Sequence, residues 1–318
     1  MARIGIDLGG TNIACGLVSE EGAILFQKSC KTFASRPASE IVSDMAGLVK
    51  DVLRESGCTE TVTFCGIACP GVANRETGCI DYSCNLPGFL GLDLVGEMKK
   101  RLPGFEIAIE NDANCAALGE AVAGAAKGVK DSVFITLGTG VGGGVIIDGR
   151  ILRGFNYAGA ELGHTVIVKD GRPCSCGRRG CWEAYSSATA LVAFTKEEMQ
   201  RSPESLMNLL AQERGKVDGR TAFDAYRQGD AAAKSVLDRF TEYLALGVTN
   251  MVNIFQPEIL SVGGGISAEG ETLLAPVRAI LEKEQYSRHC RRKTVLKKAA
   301  LGNSAGIIGA AFLGEALK

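Results

Sequence analysis

Excess charge and long apolar runs are both missing from this sequence. Its 318 residues include 35 lysines and arginines against 36 aspartates and glutamates, and the net charge is −1. This balance argues against broad affinity for nucleic acid or acidic membranes. No apolar stretch reaches transmembrane length, and the opening residues MARIGIDLGG predict a strand and a turn rather than a signal peptide. We therefore expect a cytoplasmic protein with neither a membrane nor a nucleic-acid partner.

A Walker A motif is also absent, which excludes a P-loop enzyme. Three glycine-rich turns follow apolar strands instead, and such turns let backbone N–H groups approach a polyanion closely. Residues 138–143 formally match the dinucleotide fingerprint, but a strand follows where that fingerprint needs a helix, so we reject the match. One such turn is typical of a plain hairpin, whereas three indicate a shared phosphate site. The turns contain Gly9, Gly10, Thr11 and Asn12, then Thr139 and Gly140, then Gly264 and Gly265.

Strands alternate with helices along the chain, and one segment occurs twice. Residues 131–152 repeat the strand, glycine turn, strand and tight turn of the first segment, with Thr136 where the first copy has Asp7. An internal duplication predicts two related α/β domains that face each other across a cleft. We predict a small domain of residues 1–112 with a C-terminal helix at 302–318, and a large domain of residues 113–301.

Acidic and amide side chains follow the predicted strand FEIAIEND, where a helix begins. The ends of such strands are the usual ligand-binding edge of an α/β sheet. Helix capping by Asn111 or Asp112 is the plainer explanation, and one residue can cap while the other faces the cleft. Phosphoryl transfer requires aligned phosphates, a cation and a carboxylate that accepts a proton. Asp112 suits the role of base, and Asp7 suits the role of cation ligand.

Histidine is scarce, with two in the chain, while cysteine is abundant, with twelve. His164, Cys174, Cys176 and Cys181 form the pattern H-x9-C-x-C-x4-C, a complete tetrahedral set for Zn²⁺. Four protein ligands leave no open position, so such a zinc would be structural. A C-x-C redox pair and a chance grouping are the alternatives. The other cysteines share no ligand spacing and are predicted to be scattered buried groups: Cys15, Cys30, Cys58, Cys65, Cys69, Cys79, Cys84, Cys115 and Cys290.

Six motifs occur in order along the chain: IGIDLGGTN, ACPGV, NDANCAALGE, LGTGVGGG, ELGHTVI and CSCGRRGCWEAYSS. Together they closely resemble the ROK family of sugar kinases and sugar-responsive repressors, over essentially all 318 residues. The resemblance implies an actin-like ATPase (ribonuclease H-like) α/β fold, with two duplicated domains around a hinged cleft for sugar and ATP.

The resemblance also implies a role for each matching residue. Asp112 would be the base that deprotonates the sugar hydroxyl, and His164 would hold zinc through one ring nitrogen while the other faces the sugar. Glu161 and Glu183, otherwise ordinary surface acids, would be fixed by the zinc loop. The implied sugar-binding residues are Asn85, Asn111, Asp112, Glu161, His164 and Glu183. The implied ATP and Mg²⁺ residues are Asp7, Gly9, Gly10, Thr11, Asn12, Thr139 and Gly140, with Gly264 and Gly265 near the nucleoside.

The activity implied is ATP-dependent phosphorylation of a hexose, with glucose first and glucose 6-phosphate as product. N-acetylmannosamine, N-acetylglucosamine, allose and fructose kinases share these motifs. A non-catalytic sugar sensor is a different class, but repressor members carry a winged helix-turn-helix before a strand that here begins at residue 3. A third reading makes the zinc loop an interaction module. A homodimer is expected from the family.

Overall fold

Strands and helices alternate along the chain, as the sequence predicts. The structure is a computed structural model that describes residues 1–83 and 85–314. The strands are β1 (Arg3–Leu8), β2 (Asn12–Val18), β3 (Ile24–Lys31), β4 (Phe64–Cys69), β5 (Val72–Asn74), β6 (Cys79–Tyr82), β7 (Glu106–Asn111), β8 (Ser132–Leu137), β9 (Val141–Ile147), β10 (Arg150–Ile151), β11 (Ile259–Gly263) and β12 (Val295–Lys298). The helices are α1 (Ala38–Glu55), α2 (Leu94–Arg101), α3 (Asp112–Ala123), α4 (Glu183–Ser186), α5 (Ala188–Arg201), α6 (Leu206–Arg214), α7 (Thr221–Arg227), α8 (Ala231–Phe255), α9 (Glu271–Glu284) and α10 (Ala305–Ala311).

Two five-stranded sheets share one topology. Their strand orders are β3-β2-β1-β4-β7 and β10-β9-β8-β11-β12. In the first sheet β1 is antiparallel to β2 and parallel to β4. In the second sheet β9 is antiparallel to β10, and β11 is parallel to β12. This correspondence confirms the predicted α/β class and the internal duplication.

Helix α1 shows how the apolar pattern produces the core of the first sheet. Ile41, Met45, Leu48, Val49 and Val52 recur at helical spacing, and all five are buried. They belong to one apolar cluster with the inward-facing residues of β1 and β4. Burial of this stripe, rather than intrinsic propensity, accounts for most of the stability of such a helix.

The chain divides into two compact units. The first contains residues 1–134, 144–160 and 299–318, and the second contains residues 135–143 and 161–298. The domain boundaries predicted from the sequence, after residues 112 and 301, remain a prediction.

The predicted C-terminal helix of residues 302–318 is longer than the α-helix that the structure shows within the described part of this segment. Gly302–Ser304 form a 3-10 turn, and the α-helix itself is Ala305–Ala311. The helix ends in a turn at residues 312–314, and residues 315–318 lie outside the described part of the chain.

Helix α10 packs unusually close to its neighbours in the first unit. A Cβ atom added to Gly309 would lie 1.7 Å from the carbonyl oxygen of Cys115 in α3. One added to Gly66 of β4 would lie 1.8 Å from the carbonyl oxygen of Ala310. Neither position has room for a side chain, so the small residues of this region are required by the contact between the backbones.

The longest helix, α8, is not a membrane span. It carries Lys234, Asp238, Arg239 and Glu242 on its surface. Within residues 1–83 and 85–314, no helix has both the length and the apolar character needed to cross a bilayer.

Candidate functional site

The carboxyl end of β7 leads directly into α3, and two polar residues at this junction have different roles. Asn111 is the N-cap: its side-chain oxygen accepts the Asn114 N–H at 3.0 Å, and its amide donates to the Gly71 carbonyl at 3.0 Å. Asp112 is the first residue of the helix, and its Oδ1 accepts the Ala113 N–H at 2.8 Å. Asn111 is therefore the residue that caps this helix, and Asp112 is not its cap.

Asp7, near the end of β1, is electrostatically coupled to Asp112. Burial, together with the smaller effect of the negative charge on Asp112, raises the pKa of Asp7 to about 6. Gly306 provides the space beside this carboxylate, because a Cβ there would lie 2.8 Å from Asp7 Oδ2. The structure thus brings the predicted base and the predicted cation ligand together in the first unit.

The first glycine turn connects β1 to β2. The Gly9 N–H donates to the Asn12 carbonyl at 3.0 Å, and the Thr32 hydroxyl donates to the Gly9 carbonyl at 2.6 Å. Thr11 and Asn12 are exposed. Asn85 lies beside the turn, since a Cβ on Gly10 would be 3.6 Å from the Asn85 Cβ. The structure therefore places Asn85 with the turn that sequence analysis assigned to phosphate binding.

The second glycine turn, between β8 and β9, lies in the second unit. Thr139 is exposed at its tip, and its carbonyl accepts the Thr189 hydroxyl at 2.8 Å. The third turn, which follows β11, packs against the end of β8: Gly264 has φ +81°, and a Cβ there would lie 2.5 Å from the backbone of Leu137. Gly264 and Gly265 are exposed, so their N–H groups lie at an accessible turn next to β8.

Four predicted zinc ligands converge in the second unit. The ligand atoms of His164, Cys174, Cys176 and Cys181 all lie within 4.8 Å of one another. The Cys176 and Cys181 sulfurs are 3.7 Å apart, and the Cys174 sulfur is 3.6 Å from His164 Nδ1. Tetrahedral zinc with ordinary bond lengths requires about 3.8 Å between two sulfurs and about 3.6 Å between sulfur and nitrogen. The donor set and its spacing therefore fit Zn²⁺.

Glu183 connects the zinc loop to the second glycine turn. Its Oε2 accepts the Val141 N–H at 3.0 Å, and its Oε1 accepts the Ser175 hydroxyl at 3.1 Å. Gly140 lies against the same carboxylate, because a Cβ there would be 2.2 Å from Oε2. Sequence analysis missed this contact, since it joins residues 42 positions apart.

Glu161, His164 and Glu183 form one electrostatic group. Glu161 precedes the 3-10 turn Leu162–His164, and the His164 N–H donates to its carbonyl at 3.1 Å. The Glu161 side chain is exposed, yet the surrounding protein removes enough water to raise its pKa. His164 opposes this shift and Glu183 reinforces it. The three side chains of this unit that are predicted to bind the sugar are therefore close enough to interact electrostatically.

Aromatic and arginine side chains hold the zinc loop on the helices behind it. Trp182 is fully buried, and its Nε1–H donates to the Tyr243 carbonyl at 3.1 Å. The Arg172 guanidinium lies 4.5 Å from the centre of the Phe194 ring and pairs with Glu197. These contacts position the loop independently of any metal.

The remaining cysteines are less uniformly buried than predicted. All described cysteines are free, and Cys15, Cys65, Cys69 and Cys115 are buried. Cys30, Cys58 and Cys79 are half-buried, and Cys84 lies outside the described residues. Cys290 is exposed, contrary to the prediction, because the segment SRHCRRK around it is strongly basic and must remain solvated.

The arrangement of these residues agrees with a known family. The sequence pattern of the ROK family matches residues 3–316. The chain belongs to the ROK family. The family resemblance stated from the motifs is therefore confirmed.

Relatives of this ROK chain include two groups of sugar kinases. It is 40% identical over 310 residues to a glucokinase of Thermotoga maritima, covering 98% of this chain and 96% of the relative. It is 30% identical over 323 residues to an N-acetyl-D-glucosamine kinase of Escherichia coli, covering 97% and 98%.

A solved structure allows the folds to be compared. The ROK glucokinase of Streptomyces griseus, in complex with glucose and AMPPNP, is 35% identical and superimposes with a TM-score of 0.82. The match covers 98% of this chain and 99% of that one. The predicted actin-like fold class is confirmed by this similarity.

Proposed function

We propose that this chain transfers the γ-phosphoryl group of ATP to the 6-hydroxyl of a hexose, with glucose as the substrate. The observation that carries the proposal is Asp112 at the carboxyl end of β7, coupled to Asp7. It is supported by the relative solved with glucose and AMPPNP, which this chain matches over 98% of its length.

Asp112 acts as the general base. The Ala113 N–H holds one carboxylate oxygen and so fixes its orientation. The carboxylate accepts the proton of the 6-hydroxyl while that oxygen bonds to the γ-phosphorus. The bond from phosphorus to the β–γ bridging oxygen breaks, and ADP and hexose 6-phosphate are formed. A correctly placed base contributes about 10²- to 10⁴-fold to such a step.

The glycine turns bind the nucleotide. In the first unit, Gly9, Gly10, Thr11 and Asn12 offer N–H and hydroxyl donors to phosphate oxygens. In the second unit, Thr139 and Gly140 do the same, and Gly264 and Gly265 contact the nucleoside. Asp7 would hold Mg²⁺, whose charge neutralises the phosphate oxygens when it is bound. With a pKa of about 6, Asp7 is ionised at neutral pH and suited to this role.

The sugar is bound by the side chains that the family resemblance implies. Asn85 and Asn111 offer amide groups, and Glu161 and Glu183 accept hydrogen bonds from sugar hydroxyls. The approach of His164 Nδ1 to within 3.6 Å of the Cys174 sulfur supports that nitrogen as the zinc ligand. The other ring nitrogen, Nε2, then carries the proton and donates to a sugar oxygen. Zinc bound at Nδ1 would fix this tautomer and would otherwise take no part in the reaction.

N-acetylglucosamine is the second candidate sugar, because the Escherichia coli N-acetyl-D-glucosamine kinase matches 97% of this chain, at a lower identity of 30%. N-acetylmannosamine, allose and fructose remain further alternatives. A cytoplasmic location and a homodimer are proposed on the family resemblance alone.

The test is ADP release from purified protein with Mg·ATP and each of these sugars. We expect glucose to give the highest kcat/KM. Asp112→Asn should lower kcat by about 10²- to 10⁴-fold and leave the sugar Kd nearly unchanged. Asp44→Asn is the matched control, since Asp44 is an exposed carboxylate of α1 paired with Arg36. Sugar binding without ADP release in the wild type would indicate a sensor, and full turnover by Asp112→Asn would remove Asp112 from the base role.

A further inference from the structure

A groove of about 660 Å³ lies in the first unit, along the outer edge of β7. Its walls are α2, the turn between β5 and β6, and residues 153–157. Among the residues that the structure describes, β7 is the last strand of its sheet. A volume of this size accommodates a small metabolite. None of the roles proposed above uses this groove, which we call the arginine groove after Arg75 and Arg153 in its wall.

The groove borders a buried cluster of two arginines and one glutamate. Arg153 Nε donates to Glu110 Oε2 at 2.5 Å, and Arg75 Nη1 lies 3.8 Å from the same oxygen. The other oxygen, Oε1, accepts the Asn111 N–H and the Asn114 amide, each at 3.1 Å. Both carboxylate oxygens are therefore used, and one negative charge faces two positive ones.

The surplus positive charge is deeply buried. The Arg75 side chain is 9% exposed and Glu110 is 1% exposed. Arg75 Nη1 and Arg153 Nη2 have no hydrogen-bond acceptor among the residues that the structure describes. Arginine is seldom buried without a partner, because desolvating an unmatched charge is costly. Burial and the neighbouring Arg153 also lower the pKa of Arg75.

Other charged groups in the groove face this cluster from the surrounding elements. Glu76 pairs with the Tyr157 hydroxyl, and Asp93 accepts the Gly96 N–H at the start of α2. Glu106 and Lys99 complete the charged lining. The acids offer acceptors for hydroxyl groups, while the guanidinium groups of Arg75 and Arg153 in the groove wall offer positive charge that suits an oxyanion.

We propose that the arginine groove binds a small hydroxylated oxyanion. Its phosphate or carboxylate group would accept hydrogen bonds from the guanidinium groups of Arg75 and Arg153 where they line the groove, and its hydroxyls would donate to the acidic side chains of the lining. A sugar phosphate and a sugar acid share this chemistry. The inference does not depend on kinase activity, since it concerns binding alone.

Thermal unfolding of the full chain with inorganic phosphate, against chloride at equal ionic strength, tests the charged half of the proposal. We expect a saturable rise in Tm for the wild type and for Arg36→Gln, a control arginine whose guanidinium already bonds to Thr32 and Asp44. Arg75→Gln should weaken phosphate binding about 10- to 100-fold, as loss of a charged hydrogen bond predicts. Equal phosphate affinity in Arg75→Gln and the wild type would overturn the site.

Two further measurements complete the test. The first uses the wild type, in case Arg75→Gln fails to fold, and the second identifies the chemical class of the ligand. Wild-type crystals soaked in tungstate should show an anomalous peak within hydrogen-bond distance of both Arg75 and Arg153, and its absence there refutes the proposal. Sorbitol 6-phosphate and gluconate then distinguish the phosphate from the carboxylate source. If neither binds more tightly than inorganic phosphate, the hydroxyl-binding part of the proposal is wrong.

Discussion

Gly247, in the middle of α8, leaves space for the indole of Trp182, and filling that space should be costly. A Cβ at Gly247 would lie 1.9 Å from Cε2 and 2.3 Å from Nε1 of the ring. Ordinary contacts are about 3.5 to 4.0 Å, so in Gly247→Ala the ring must move by more than about 1.5 Å. That movement breaks the hydrogen bond from Nε1 to the Tyr243 carbonyl.

The effect of Gly247→Ala on the free energy of unfolding combines two losses and one gain. Overpacking costs about 1–3 kcal/mol, and a buried hydrogen bond lost without replacement costs about 1–3 kcal/mol. Alanine in a helix interior returns about 1 kcal/mol relative to glycine. The free energy of unfolding should therefore fall by about 3 kcal/mol in Gly247→Ala. Because Trp182 follows Cys181 directly, zinc should also be lost faster to a chelator.

Urea unfolding followed by tryptophan fluorescence measures this effect at the site itself, since Trp182 is the only tryptophan in the chain. We expect a lower unfolding midpoint and a shifted emission maximum before any urea is added. Gly47→Ala in α1 is the control: no heavy atom lies within 4 Å of the added Cβ, so stability should rise by about 0.5–1 kcal/mol. An unchanged midpoint and emission in Gly247→Ala would refute the packing argument.

Three further changes have defined outcomes. Cys176→Ser should lower the zinc content, measured by elemental mass spectrometry, from about one ion per chain toward none, and should weaken sugar binding. The control Cys290→Ser replaces an exposed thiol outside the cluster and should change neither quantity. Unchanged sugar affinity in Cys176→Ser would favour the reading of the zinc loop as an interaction module. The pKa of Asp7 is about 6 in the folded chain, against an ordinary value of 3.8. Between these two pH values the folded chain keeps a proton that the unfolded chain releases. The free energy of unfolding should therefore fall, by at most about 3 kcal/mol, as pH rises from about 4 to about 6, and Asp7→Asn should remove this slope in urea titrations. Gly309→Val should prevent α10 from packing on α3, because its Cβ would overlap the Cys115 carbonyl, and soluble yield and near-UV dichroism should both fall.

Local patterns were sufficient to predict much of the fold. The apolar residues from Ile41 to Val52 recur at helical spacing, so the sequence alone indicates α1. The repeat at residues 131–152 predicted the second sheet, because the same turns generate the same strand order. The zinc ligands were predicted for a similar reason, as three of the four lie within eight residues of one another.

Contacts between distant residues were not predictable in this way. Glu110 is an acid within an apolar strand, and the sequence therefore indicates that it has a buried partner. The sequence does not indicate that this partner is Arg153, which lies 43 positions later. The contact from Glu183 to the Val141 N–H likewise depends on how the zinc loop folds back. The short β5–β6 hairpin also went unrecognised, since its strands have only three and four residues and little alternation.

The first unit is discontinuous in sequence, and this has a consequence for the time at which it can fold. Helix α10 covers β1, β4 and α3, yet the roughly 140 residues that precede residue 299 belong to the other unit. At about 5–20 residues per second, a ribosome takes on the order of 10 s to make them. During that interval the faces of β1 and β4 that await α10 remain uncovered in the nascent chain. The first unit is therefore the first to be synthesised but the last to be completed. Its need for a chaperone is greatest while these strand faces remain uncovered.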